Sequence, residues 1–141
     1  MSSQLAPGTV HSRRLTVGRD RTIGFMGEEM RVYATPSMVN DVEYTCRDFL
    51  VQHLADGQDS VGARVEIDHL APTLLGMWAN IRIEIAAVEK RRVTFAFEVR
   101  DAIEVVGRGS HTRFIVDKPK TAEQLAAKKA QAAAVAGAFP G

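Results

Sequence analysis

Cysteine is almost missing from this sequence. The single Cys46 has no second thiol to pair with among the 141 residues. That excludes an internal disulfide, and its place in a helical stretch suggests packing more than redox chemistry. Long apolar runs are missing too: no segment approaches the ~20 residues that would span a bilayer. The opening stretch MSSQLAPGTVHSRRL also lacks the apolar core of a secretory signal, about 7–15 residues. Nor does one sign of charge dominate. Lys and Arg number 18 against 17 Asp and Glu, for a net charge of +1, and the two signs are interspersed. This leaves no electrostatic footprint for nucleic acid or an anionic membrane. No His/Cys cluster has metal-ligand spacing, no glycine-rich phosphate loop precedes a helix, and no fixed-period repeat is present. Together these absences predict a cytoplasmic protein with no metal or other cofactor, no nucleic-acid partner and no membrane partner.

What is present fits one globular domain, 45% hydrophobic and 25% charged, long enough for a single core. Residues 1–10 read as a flexible leader and 11–118 as the folded domain. Residues 119–141 form an alanine-rich tail of helix formers with little to bury, which allows a frayed helix, a partner-docking helix or disorder.

Within the domain, a short strand is expected over His11–Val17 and a second apolar piece over Ile23–Met26. Thr35 followed by Pro36 forms an N-cap and first-helical-residue pair, and Asp56-Gly57 is a natural stop. At about 100° per residue, Met38, Val42, Cys46, Phe49, Leu50 and Leu54 fall in one arc, with Asn40, Asp41, Tyr44 and Arg47 opposite. Glu43 lies inside the apolar arc near its edge.

Beyond the helix the period changes to two. Val61, Ala63, Val65, Ile67 and His69 share one strand face. Ala79 to Ile85 and Val93 to Val99 alternate in the same way, and a last strand covers about Glu104 to Val116. The short turn EKRR predicts an antiparallel meander. One long helix facing a sheet with one apolar side predicts an α+β domain whose sheet wraps the helix.

Several stretches carry a resemblance: VYAT before the helix, MVNDVEYTC within it, SVGARVEIDHLAPT on the next strand and GRGSHTR on the last. Their order and spacing resemble the fluoroacetyl-CoA thioesterase branch of the hotdog fold, in which an antiparallel sheet wraps one long central helix. The resemblance runs from about Leu15 to Val116. It implies a homodimeric acyl-CoA thioesterase that takes a coenzyme A thioester as substrate. The family's catalytic threonine, helix glutamate and strand histidine fall on Thr35, Glu43 and His69. A glycine whose N–H holds the thioester carbonyl falls on Gly62. The segment before VYAT departs from the family: it is shorter and carries Glu29 and Met30 near the Phe and Pro positions that shape a fluorine pocket. The expectation is therefore hydrolysis of a small acyl-CoA, and it does not extend to fluoroacetyl specificity.

Each of these residues also has a plainer role. Thr35 can act as a cap alone, and His69 can be a hydrogen-bonded core residue. Glu43 can sit at an edge or in an interface ion pair, since a buried carboxylate needs a partner or a function. A Glu43–His69 pair would supply an acid/base device near neutral pH. Eight helical steps put the Thr35 and Glu43 α-carbons about 12 Å apart: the substrate lies between them, the helix starts late, or a dimer completes the site, and a late start combined with a dimer is the favoured reading. His111 reads as structural, and Lys90, Arg91 and Arg92 as a basic turn available to coenzyme A phosphates. Two other classes stay open at this point: an acyl-thioester dehydratase or hydratase on the same fold, and a protein that binds acyl-CoA or a hydrophobic small molecule without turnover.

Overall fold

The computed structural model describes residues 5–141. Helix α1 spans Thr35–Val51, and its buried Met38, Val42, Cys46, Phe49 and Leu50 recur every three to four positions, so one stripe faces the sheet. Ala34 is the N-cap, and no side chain caps the helix. This corrects two expectations: Thr35 is the first helical residue rather than the cap, and the helix does not start late. Pro36 takes the second helical position, where no intrahelical N–H is lost. Asp41, on the polar side by projection, is buried, because the chain before the helix folds back over it.

Strands β1 (Val10–Thr16), β4 (Gln58–His69), β5 (Trp78–Glu89), β6 (Arg92–Arg100) and β7 (Val105–Asp117) form one antiparallel sheet, ordered β1-β5-β6-β7-β4. The predicted meander holds for β5, β6 and β7. Strand β4 crosses to the far edge and pairs with β7. A separate ribbon joins β2 (Thr22–Ile23) to β3 (Val32–Tyr33) just ahead of α1.

Ala79, Ile81, Ile83 and Ile85 of β5, with Val93, Phe95, Phe97 and Val99 of β6, are buried in alternation as period two requires. Each of the larger ones contributes on the order of 1.5–3 kcal/mol relative to exposure. Strand β4 breaks that simple pattern. Its pairing with β7 runs Gly62↔Arg113 and then Arg64↔Thr112, a bulge with Ala63 as the extra residue. Ser60 and Gly62 therefore join Val65, Ile67 and His69 on the helix side, and Val61 turns outward at 46% exposure. The single file expected from Val61 to His69 is wrong at its first two members. Farther along, β4 and β7 approach so closely that a Cβ on Gly109 would lie 1.8 Å from the Glu66 carbonyl oxygen.

The leader is docked from Leu5 onward, since Leu5 is in the core and Gly8 and Thr9 hydrogen-bond to the Ile85 main chain. Its first four residues lie outside the described residues. The tail forms helix α2 (Lys118–Ala133), none of whose residues is buried. Among the described residues no helix is long and apolar enough to cross a membrane.

Candidate active site

Two separate polar constellations lie along α1. The first joins the start of the helix to the end of β4: Thr35 Oγ1 and His69 Nδ1 share a hydrogen bond of 2.6 Å. Opposite Gly107 in the β4–β7 register, His69 projects to the helix side. Its Nε2 is buried without a hydrogen-bond partner among the described residues. Burial lowers the imidazole pKa, opposed by the Ala71 backbone, so the ring is held toward its neutral form. In the tautomer with the proton on Nε2, the Thr35 hydroxyl donates to Nδ1.

The second lies farther along the helix, around Glu43. Gly62 has no Cβ, and one built there would sit 3.3 Å from His111 Cε1, 3.4 Å from Arg113 Nη1 and 3.5 Å from Glu43 Oε1. The missing side chain thus leaves a cradle that these three groups bound. Arg113 is buried and fixed by three bonds: Nε donates to Ser60 Oγ at 2.7 Å, Nη2 to the Ser60 carbonyl at 2.9 Å and Nη1 to His111 Nε2 at 3.1 Å. Burial lowers the Arg113 pKa and Glu43 raises it, while Glu43 itself makes no hydrogen bond among the described residues. Beside this cluster an open groove of about 490 Å³ runs past Asn40, Glu43, Tyr44, Ser60 and Arg113.

The structure therefore brings together Thr35 with His69, and Glu43 with Gly62. The expected Glu43–His69 pair does not form within the chain. Eight helical steps separate Thr35 from Glu43 by about 12 Å, and seven strand steps separate Gly62 from His69 by about 23 Å. Helical phase put Glu43 at the edge of the apolar arc but did not cover Thr35, and it carried no information about which strand residue each meets. His111 is buried and bonded, as its structural reading expects. Arg113 was missed. Its signal was a charge on the buried parity of β7, in line with His111 and Ile115. Arg91 and Arg92 of the basic turn are engaged by Asp117 and Glu89.

A profile of the family described as fluoroacetyl-CoA-specific thioesterase matches residues 17–119. The chain belongs to this family. The family match takes in Thr35, Glu43, Gly62 and His69 and leaves nearly all of α2 outside. The chain is 29% identical over 89 residues to the fluoroacetyl-CoA thioesterase of Streptantibioticus cattleyicolor, covering 63% of this chain and 64% of that relative. The match thus spans somewhat less than two thirds of the relative's length. A Thermus thermophilus hypothetical protein described as a thioesterase superfamily member superposes with a TM-score of 0.83 at 26% identity, over 95% of this chain and 100% of that one. A hot-dog-like protein of Thermanaerovibrio acidaminovorans gives 0.81 at 21% identity, over 89% and 93%. The fold is the hotdog fold, as the resemblance implied, and α+β, as the helix and strand patterns predicted.

Proposed function

We propose that the protein is a homodimeric acyl-CoA thioesterase that hydrolyses a small acyl-CoA to the free acid and coenzyme A. The observation that carries this reading is the 2.6 Å contact between Thr35 Oγ1 and His69 Nδ1. A neutral imidazole against a hydroxyl is a base beside a nucleophile. The hydroxyl, or a water that it orients, attacks the thioester carbonyl as its proton passes to Nδ1. The tetrahedral oxyanion is held by the Gly62 N–H and the amides opening α1, to which Pro36 contributes none. Collapse expels the coenzyme A thiolate. Glu43 orients and deprotonates the water that attacks directly or clears an acyl-Thr35. Coenzyme A enters as part of the substrate, and the reading calls on no separate cofactor. Fluoroacetyl specificity is not part of the reading: by the resemblance, Glu29 and Met30 stand near the Phe and Pro positions of the fluorine pocket. The one buried thiol, Cys46, suits a reducing cytoplasm.

The two half-sites support a dimer. Strand β4 is a sheet edge of 12 residues without proline, a template for a second strand. Antiparallel pairing of two β4 edges about Glu66 keeps helix-side residues opposite helix-side residues. It sets Arg64 opposite the partner's Asp68, and His69 opposite the partner's Gly62–Ala63 bulge. Thr35 and His69 of one copy then face Glu43 and Gly62 of the other.

Two measurements test the reading. The protein is incubated with short, branched and aromatic acyl-CoAs while free thiol is followed, with Glu43→Gln alongside. Release that depends on Glu43 is expected. Hydration of an unsaturated acyl-CoA without thiol would favour the dehydratase class, and stabilisation by acyl-CoA without any product would favour a binding protein. Next, inactive Glu43→Gln and His69→Ala proteins are mixed, unfolded and refolded together. A site shared between copies regains up to about a quarter of wild-type activity, because half the dimers are mixed and each has one intact site. A site confined to one chain regains none.

A further inference from the structure

Behind Thr35 lies a polar cluster that the chemistry above does not use. Asp41 is 7% exposed, and its Oδ2 accepts hydrogen bonds from the Tyr33 hydroxyl and from Arg21 Nε, the latter at 3.0 Å. Tyr33 is 1% exposed and stands two residues before Thr35. The Arg21 carbonyl also accepts the Ala34 N–H at 2.9 Å, and the Tyr33 N–H donates to the Thr73 carbonyl at 2.8 Å. Thr73 is in turn tied to Asp101, its Oγ1 donating at 3.0 Å.

This matters because α1 begins without the usual fastening. Ala34 offers no capping oxygen, and the Thr35 hydroxyl is committed to His69. Uncapped first turns fray. The direction of Thr35 must then come from the residues just ahead of it and from the helix just beyond it. The cluster joins both: Tyr33 on one side, Asp41 a turn and a half up the helix on the other, and Arg21 bridging them by side chain and main chain. A phenylalanine at 33 and an apolar residue at 41 would fill the same space without fixing the rotation of that turn.

We propose that Tyr33, Asp41 and Arg21 are positioning residues that hold the Thr35 hydroxyl on His69 Nδ1. In its kinetic part the inference rests on the thioesterase reading; in its geometric part it does not.

Tyr33→Phe, which removes only the hydroxyl, is compared with wild type by thermal unfolding, by nitrogen NMR of the His69 imidazole and by kcat and KM on the fastest acyl-CoA of the panel. In the wild type the two ring nitrogens give well-separated resonances, as one tautomer held by Thr35 requires. In the variant they move toward each other. A displacement of this kind lowers kcat about ten-fold or more, with KM within about two-fold. Asp41→Asn, which keeps an acceptor for the tyrosine, regains much of the activity lost in Asp41→Leu. Unchanged His69 resonances and unchanged kcat in Tyr33→Phe, whatever its melting temperature, overturn the proposal. Should Tyr33→Phe fail to fold, Arg21→Gln on the more exposed partner gives the same readings. A wild type that releases no thiol from any acyl-CoA removes the enzymatic reading, and the His69 resonances then decide the positioning alone.

Discussion

Arg113 Nη1 donates to His111 Nε2 at 3.1 Å and so decides which nitrogen of that ring carries its proton. A guanidinium can only donate, so Nε2 is the acceptor, and Nδ1 carries the hydrogen that reaches the Arg64 carbonyl at 2.8 Å. The ring is neutral, its pKa lowered chiefly by burial and further by Arg113. His69 is lowered as well, also by burial.

These two shifts have one sign, and they set a stability profile. A histidine depressed below its ordinary value of 6.5 binds more protons in the unfolded chain. Its contribution is therefore complete above that value and is lost as pH falls from there toward the folded-state pKa. Urea midpoints should drop between about pH 7.5 and 5.5, before the depressed carboxylates near pH 4 take part. His111→Gln, which keeps one donor and one acceptor, should flatten part of that slope; an unaltered slope would assign it elsewhere. The acid limb of kcat/KM should likewise fall below the ordinary histidine value, because the neutral imidazole is the base.

Thr35→Ala separates chemistry from capping. Since Ala34 is the cap and Thr35 makes no capping bond, the loss of its hydroxyl should cost only the hydrogen bond to His69, about 0.5–1.5 kcal/mol. Thioester cleavage should fall by roughly 10²–10⁴, the range of a lost acid–base partner. Thr35→Ser should retain most of it. A large drop in melting temperature with normal turnover would make Thr35 a helix-starting residue only.

Two glycines should respond differently to the same methyl group. In Gly62→Ala the new carbon meets side-chain atoms at 3.3–3.5 Å, so the protein should fold with a melting temperature within a few degrees of wild type. Its kcat/KM should fall, because the cradle beside Glu43 is filled. In Gly109→Ala the new carbon collides with the Glu66 main chain, an overpacking that costs at least about 1–3 kcal/mol and pushes β4 off β7. Circular dichroism melts and thiol-release assays on both would show whether the two effects separate this way.

The sequence patterns reached the helix and the strands for a physical reason, whereas the residues of the two half-sites came from the resemblance. Helical phase and strand alternation report which side of an element is dry, and Met38, Val42, Ile81, Ile83, Phe95 and Phe97 obey that rule. The bulge at Ala63 escaped because one inserted residue leaves composition unchanged while it reverses the parity of everything before it. Asp41 escaped because projection sorts residues by polarity, and its polarity is satisfied inside by Tyr33 and Arg21. Thr35 meeting His69, rather than Glu43 meeting His69, depends on the depth at which β4 crosses the helix, which no periodicity encodes.

Helix α2 borders the sheet through its first two turns, from Lys118 to Leu125, and no side chain is buried along Lys118–Ala133. An isolated helix of about this length is marginal in water, so its outer turns should open and reclose without disturbing the sheet. Its amides should exchange with solvent far faster than those of β6, and its melting should leave the main transition unmoved. For anyone immobilising or fusing the protein, it is a ready-made handle: force applied there is absorbed by uncoiling before it reaches Thr35.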